Sequence, residues 1–547
     1  MPVKHRSADL LIAAALGLVT LLSRVPFQAT LLNNFDAINY ALALDHYDMR
    51  LAQPQAPGYP LYIVLGRGFN LFLRIFSGAS DPRVALTWLS MLSSGLAVGV
   101  IYMAGRAVFN RRTGFFAALL LATSTVVWYM GEVAAPYTLD LFSSLAVGWL
   151  CYQLMNRSPS TGAPLRPSTI VWATAIAVGL AGALRLQTLV FLFPLFLYAL
   201  MRGALFSDAP VASRTARWNW KEVTGGVAVA GMVVSAFFLP AVLLSGGFSA
   251  FVRSMVILVP IFQDMDTLIR TTRWIRFARN AAGIAQYTVR IIGELALPFL
   301  LLGLFTQVQA IRLHRDRRLL FLLIWLLPSW VAYFLVWPGN LGTMLVSVPP
   351  LFLFAAVGLD WMIGRKRWIS VTGWVALVVL LIWSVSVFTI LPEAPFQSAY
   401  RRFENYAQIQ RTSDRYRTKL ALVREFPSTG TLVYADSFRP MQYYLPQYRT
   451  STYPRFEKDA PGVVRLVVSV ENGKMQTFRN VRASSLVTPG IERIILFDKP
   501  GALIIDSRLF VEERSVDGYG IEVVFIPENS PVQWMQDGEA LILREAK

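Results

Sequence analysis

Apolar runs of bilayer length recur through the first 390 or so residues and then stop. A helical span needs about 20 consecutive apolar residues, because each residue rises only about 1.5 Å. The runs predict eleven transmembrane helices, near 9–27, 83–105, 114–131, 137–155, 169–185, 188–203, 223–244, 289–310, 318–336, 340–362 and 369–391. An odd number puts the termini on opposite sides. From Pro392 the texture changes. TLVYAD, VVRLVVSV, IERIILF, ALIID and IEVVFI are short and β-branched, with Gly, Pro and Asn between them, which reads as strands. Ser398–Glu425 is charged, with helical spacing. The expected fold is a polytopic α-helical membrane domain over 1–391 and a soluble α/β or α+β domain over 392–547.

Composition agrees. The chain is 55% hydrophobic and 15% charged, where a soluble domain carries about a quarter charged. The net charge of +18 would fit nucleic acid. Its placement argues against that partner, because the basic residues sit in short loops and form no stripe interleaved with aromatics. Alternate loops carry Lys4 and Arg6; Arg106, Arg111 and Arg112; Arg157 and Arg166; Arg202, Arg214, Arg217 and Lys221; Arg312, Arg315, Arg317 and Arg318; and Arg365, Lys366 and Arg367. That side is read as cytoplasmic, and the C-terminal domain as extracytoplasmic. The single cysteine, Cys151, allows neither an internal disulfide nor a Cys metal cluster. Met1–Arg6 and the run from Leu10 resemble a signal peptide, but no small-residue cleavage site follows, so the run is read as the first anchor. No internal repeat is visible.

Two outward loops are long, at about 28–82 and 245–288. The first holds FDAINYALALDHYDMRLA, an amphipathic stretch with Phe35, Ile38, Ala41 and Leu42 on one side. QPQAPGYPLYIVLGRGFNLFLRIFSG follows and is apolar, but Pro60, Gly66, Arg67, Gly68 and Arg74 interrupt it. It reads as an interfacial or re-entrant helix.

Ionisable groups near a membrane are costly to place, so the outward ones are candidates for chemistry. Asp36, just after the first span, is placed to accept a proton at an aqueous cleft, or simply to favour a helix N-terminus. Glu132 and Asp140 flank the turn in WYMGEVAAPYTLD. Asp45, His46 and Asp48 could hold a divalent ion, yet one imidazole with two acids is also an ordinary solvated helix end. The second long loop carries Arg253, Arg270, Arg273, Arg276 and Arg279 beside Asp264 and Asp266. Four of these arginines recur every third residue, and guanidinium groups suit phosphate through bidentate hydrogen bonds. Arg185 ends the fifth span, where an arginine needs a buried acid or a ligand phosphate.

These pieces together resemble the GT-C superfamily of membrane glycosyltransferases, of the family 39 protein O-mannosyltransferase and aminoarabinose-transferase type. The matching pieces are Asp36 after the first span, QAPGYPLY, VWYMGEVAAPYTLDLF, GLAGALRLQTLVFLFPL and WPGNLGTMLVSVPPL, spread over about 5–365. The chain departs from the pattern where QAP replaces a His-Pro-Pro-like run and where WPGN lacks the usual Tyr. The resemblance implies a polyprenyl-phosphate sugar donor and a lipid, glycan or protein acceptor at the outer face. It makes Asp36 the catalytic base, with Glu132 beside it. It makes Arg185, Arg270, Arg273 and Arg276 the donor phosphate ligands, and puts Tyr59, His46 and Asn340 in the substrate-binding loops. It requires no cofactor, and a divalent metal is left open. The rival readings are a transporter or flippase of a lipid-linked sugar, which would show internal repeats and polar residues deep in the spans, and a non-catalytic glycan-binding membrane protein.

Overall fold

The computed structural model describes residues 4–32, 34–78, 80–156, 167–205, 220–256, 274–314, 317–336, 339–391, 404–436 and 438–452. Beyond these it describes 455–460, 463–471, 474–479, 491–498, 503–505, 510–526, 534–536, 539–540 and 542–543. The chain forms two compact units, Met1–Ala29 with Ala43–Ile409, and Thr30–Leu42 with Gln410–Lys547. The division therefore falls later than the 391/392 boundary the sequence predicts. The segment bearing Asp36 groups with the C-terminal unit.

The first unit is helical, and this is a polytopic membrane protein. Five described helices are long and apolar enough to cross a bilayer: Ser7–Phe27, Pro82–Val108, Trp220–Leu244, Arg318–Leu335 and Arg367–Thr389. The number rises to seven if two bent pairs each count as one span. The other four predicted positions hold apolar helices that fall short of this measure: Tyr137–Met155, Thr169–Leu184, Leu186–Met201 and Pro349–Ile363.

Both bends have local causes. The span expected at 114–131 is two helices, Arg111–Thr123 and Thr125–Glu132, bent by 58°. Ser124 caps the second: its Oγ accepts from Val127 N at 3.4 Å and donates to the Ile291 carbonyl at 2.6 Å. The span expected at 289–310 starts earlier, as helix Trp274–Ile292, so part of the predicted loop 245–288 is helical. It turns by 91° at Gly293, whose φ of 90° suits a residue without a Cβ. The span predicted at 340–362 is shorter than expected: a 3₁₀ turn Thr343–Val346 precedes helix Pro349–Ile363.

Close helix packing depends on missing side chains. Helices Leu297–His314 and Pro349–Ile363 touch through Gly303 and Gly358. A Cβ on Gly303 would run into the Phe354 carbonyl, and one on Gly358 into the Phe299 carbonyl. Lipid offers no hydrophobic drive for helix association, so such backbone approach supplies the van der Waals contact instead.

Helix Pro60–Ser77 has the mixed character its sequence predicts. Tyr62, Ile63 and Gly66 are buried, while Val64, Leu71, Phe72, Ile75 and Phe76 remain exposed. That apolar face fits a lipid surface. Arg67 donates to the carbonyls of Leu44 at 2.8 Å and Ala43 at 2.9 Å, satisfying the C-terminal end of helix Phe35–Asp45. That helix is not amphipathic as predicted. Ala37, Ile38, Asn39, Tyr40 and Ala41 are all buried in succession, and Phe35 is 39% exposed. A helix apolar on every side is buried on every side.

The second unit is a mixed sheet with helices. Strand Thr431–Ala435 lies parallel to both Arg449–Thr452 and Arg493–Leu496. Helix Phe438–Tyr444 makes the crossover between the first two. Tyr519–Phe525 adds antiparallel to Arg493–Leu496, and Phe510–Val516 adds antiparallel to it. Leu420, Val423, Val433, Met441, Leu445, Ile495 and Val523 form the core. Burial holds the Lys419 ammonium below its ordinary value, against the pull of Asp498 at 3.6 Å.

Candidate functional site

Arg185 sits at the break between helices Pro167–Leu184 and Leu186–Leu205. Its Nη1 donates to Oδ2 of Asp140 at 3.2 Å. Asp140 lies in the first turn of Tyr137–Met155, where a carboxylate favours the helix dipole. Thr188 Oγ1 donates to its other oxygen at 2.8 Å. The sequence requires a buried acid or a phosphate beside Arg185, and the buried acid is Asp140.

Three tyrosines lie near this pair. Tyr59, Tyr137 and Tyr333 lie within electrostatic range of the guanidinium, which stands 6.0 Å over the Tyr137 ring. Asn340 Nδ2 donates to the Tyr137 hydroxyl at 3.0 Å. Its Oδ1 accepts from Thr343 N at 2.9 Å, which closes the turn after Gly339. The Tyr333 hydroxyl donates to the Thr343 carbonyl at 2.6 Å. Three predicted residues, Arg185, Tyr59 and Asn340, thus share one neighbourhood. Tyr333 and Thr188 join it, and they were invisible in the sequence because a hydroxyl inside an apolar run carries no periodic signal. Arg185 is 8% exposed, and its bond to Asp140 uses one of five N–H donors. A guanidinium oriented by a carboxylate, with donors to spare, can bind an anion.

Asp48 is spoken for. Its carboxylate takes Arg50 Nε at 2.9 Å and Nη2 at 2.6 Å. Burial raises its pKa, but the Arg50 hydrogen bonds outweigh that and leave it below the ordinary carboxylate value. Asp45 and His46 are exposed. Among the described residues, no three His, Cys, Asp or Glu side chains come together as a metal site.

Asp36 is half-buried in the first turn of helix Phe35–Asp45, and Asn34 Oδ1 caps it by accepting from Asp36 N at 2.7 Å. Within the same unit, Leu32 N donates to the Tyr444 hydroxyl at 2.7 Å, and Arg439 lies 5.8 Å over the Phe35 ring. Glu132 has no exposed surface, and neither carboxylate oxygen has a protein hydrogen-bond partner. Arg270 and Arg273 lie outside the described residues. Arg276 falls within helix Trp274–Ile292, but its side chain is outside them too.

In the helical unit two buried charges, Asp9 and Arg24, and the partly buried Asp360 escaped the sequence reading. Each sits within an apolar run, and that placement was the available signal.

Superposition on solved structures decides the fold. The crystal structure of ArnT from Cupriavidus metallidurans bound to undecaprenyl phosphate aligns over 95% of this chain and 98% of that one, at a TM-score of 0.54 and 13% identity. The fold is that of ArnT. The apo form of the same enzyme gives a TM-score of 0.52 at 14% identity, with the same coverage. The Archaeoglobus fulgidus oligosaccharyltransferase, tethered with an acceptor peptide, is a looser likeness: TM-score 0.48, 12% identity, 81% of this chain and 63% of that one. Residues 46–205 match the family described as the Protein O-mannosyl-transferase TMEM260 N-terminal domain. That match includes Tyr59, Glu132, Asp140 and Arg185. No curated protein matches the chain in sequence.

Proposed function

We propose that this chain is a glycosyltransferase that moves a sugar from a polyprenyl-phosphate donor to an acceptor at the outer face of the membrane. The fold, shared end to end with an enzyme crystallised with undecaprenyl phosphate, carries the reading. The buried Arg185–Asp140 pair with its three tyrosines supports it as a built anion site. The basic loops support an extracytoplasmic C-terminal domain.

In the proposed reaction Asp36 takes the proton of an acceptor hydroxyl or amine. The freed nucleophile bonds to the sugar C1, and the C1–O bond to phosphate breaks with inversion. Polyprenyl phosphate leaves with both electrons of that bond. Arg185 stabilises its charge, with Arg270, Arg273 and Arg276 as further phosphate ligands. Tyr59 and Asn340 line the substrate pocket around Arg185, and His46 belongs to the same loop region. Glu132 is too deeply buried here to exchange protons with an acceptor, so its role is positional.

Asp36→Asn tests the base. Transfer from a polyprenyl-phosphate sugar should fall about 10²–10⁴-fold, the usual worth of a general base. Full activity in the Asn variant removes Asp36 from the mechanism. A flippase would instead move the lipid-linked sugar across vesicles without consuming it.

A further inference from the structure

Near the end of the first transmembrane helix, four buried side chains carry polar atoms with no protein partner. They are Arg24 Nε, Ser94 Oγ, Trp128 Nε1 and both carboxylate oxygens of Glu132. Each residue is 6% exposed or less. The rest of Arg24 is well held: Nη2 donates to the Ala122 carbonyl at 2.6 Å, and the guanidinium lies 4.2 Å over the Trp128 ring. Arg24 and Glu132 act on each other's charge, yet no ion pair or hydrogen bond joins them directly. The Trp128 indole N–H reaches toward the same carboxylate, in a contact too long or too bent to satisfy either group fully.

Buried polar groups left without hydrogen bonds are costly in a membrane protein, a cost that a small polar guest between them would relieve. Gly131 gives an independent measure of that space. A Cβ built there would meet Ser94 Cβ at 3.4 Å, Ser94 Oγ at 3.5 Å and Arg24 Nε at 3.8 Å, all ordinary contacts. A methyl-sized place beside Gly131 therefore borders Ser94 Oγ and Arg24 Nε. Water binds where two to four polar partners surround a space of its own size. A metal ion fits poorly, because the cationic Arg24 lines the same space.

We propose that Arg24, Ser94, Trp128 and Glu132 bind ordered water, which turns a separated ion pair into one hydrogen-bonded unit. Arg24 Nε and Trp128 Nε1 donate to the water, Glu132 accepts from it, and Ser94 Oγ does either. An aromatic wall closes one side: Trp128 stacks on Phe388 at 4.5 Å, and Phe27 meets the Trp128 ring edge-on at 5.7 Å. The unit fixes where the chain leaves the first helix. The Glu132 carbonyl accepts from Ala29 N at 3.0 Å, and Arg83 Nη1 donates to the Ala29 carbonyl at 3.0 Å. Arg24 and Ala29 are thus both held, seven residues or more before the proposed base Asp36. The water site itself does not depend on the transferase reading.

Gly131→Ala is the test, made in the full chain in detergent. The added methyl meets no clash, so in a dry space it would raise the thermal unfolding temperature, as replacing a helical glycine generally does. If water is bound there, the methyl displaces it, strands Arg24 Nε and Glu132, and lowers that temperature by several degrees. An experimental map that resolves internal water should also show a peak within hydrogen-bond reach of Glu132 and of Arg24 or Ser94. A raised unfolding temperature, or a map that shows other internal waters and none here, overturns the proposal.

Discussion

At one end of the helical unit, Asp9 is enclosed by donors. Arg106 Nη2 lies at 2.6 Å, Arg111 Nε at 2.8 Å and the Tyr102 hydroxyl at 2.9 Å. Asp360 beside it takes Arg112, Asn110 Nδ2 at 2.8 Å and Thr113 Oγ1 at 3.1 Å. Glu132 lies near the C-terminal end of the first helix, opposite Asp9, and has no protein hydrogen bond. Basic loops at the first end look like free cations setting orientation, but three of their arginines clasp carboxylates, Asp9 buried and Asp360 partly so. A positive loop can therefore report a structural joint as well as a topology. At the second end the chain keeps its charges apart and leaves polar atoms for a small guest. Direct pairing suits a joint, and separation suits a site that binds something.

Five substitutions sharpen or break that contrast. The largest loss is expected from Asp140→Ala, which strands the buried Arg185; breaking such a pair costs about 3–5 kcal/mol. Chemical or thermal unfolding in detergent measures it, and a loss under 1 kcal/mol would show that Arg185 has another anion to hold it. Asp9→Ala should cost about 3 kcal/mol, at the low end of that range because Arg111 is half exposed and can turn to water. Combined with Arg106→Ala, the two losses should be clearly less than additive.

Glu132→Gln should cost less, about 1–3 kcal/mol, since a partner is weakened but no direct hydrogen bond disappears. A loss greater than that of Asp9→Ala would erase the difference between the two ends. The smallest effect belongs to Asp48→Asn. The folded-state pKa of Asp48 lies below its unfolded value, so its contribution is present above the unfolded carboxylate range near pH 4. It is lost as pH falls through the lower folded value. The gap in unfolding temperature between wild type and variant should be widest near neutrality and close in acid. A gap that widens in acid contradicts the Arg50 pairing.

Helix positions were readable because apolar length is a property of each run alone. The bends at Ser124 and Gly293 were not. Serine and glycine are common in spans, and only the Ile291 carbonyl or the turn itself gives them a role. Arg185 declared its need for a partner, but its partner lies 45 residues away along the chain, a distance no local pattern spans. The helix at 35–45 misled through composition: four apolar positions fitted one face, while Asn39 and Tyr40 were buried too. Arg24 was legible in principle as a charge at the end of an apolar run, and a terminal arginine is easily taken for a simple anchor.

The Gly303–Gly358 contact has a consequence for reading variants. Backbone carbonyls fill the place where any side chain would begin, so the tolerated alphabet at both positions is a single letter. A scan of substitutions scored by activity would mark these glycines as strongly as a reacting group, although neither carries a functional atom. Scoring membrane abundance alongside activity separates the two classes: the glycine variants vanish from both readouts, whereas a substitution in the chemical machinery should spare the first.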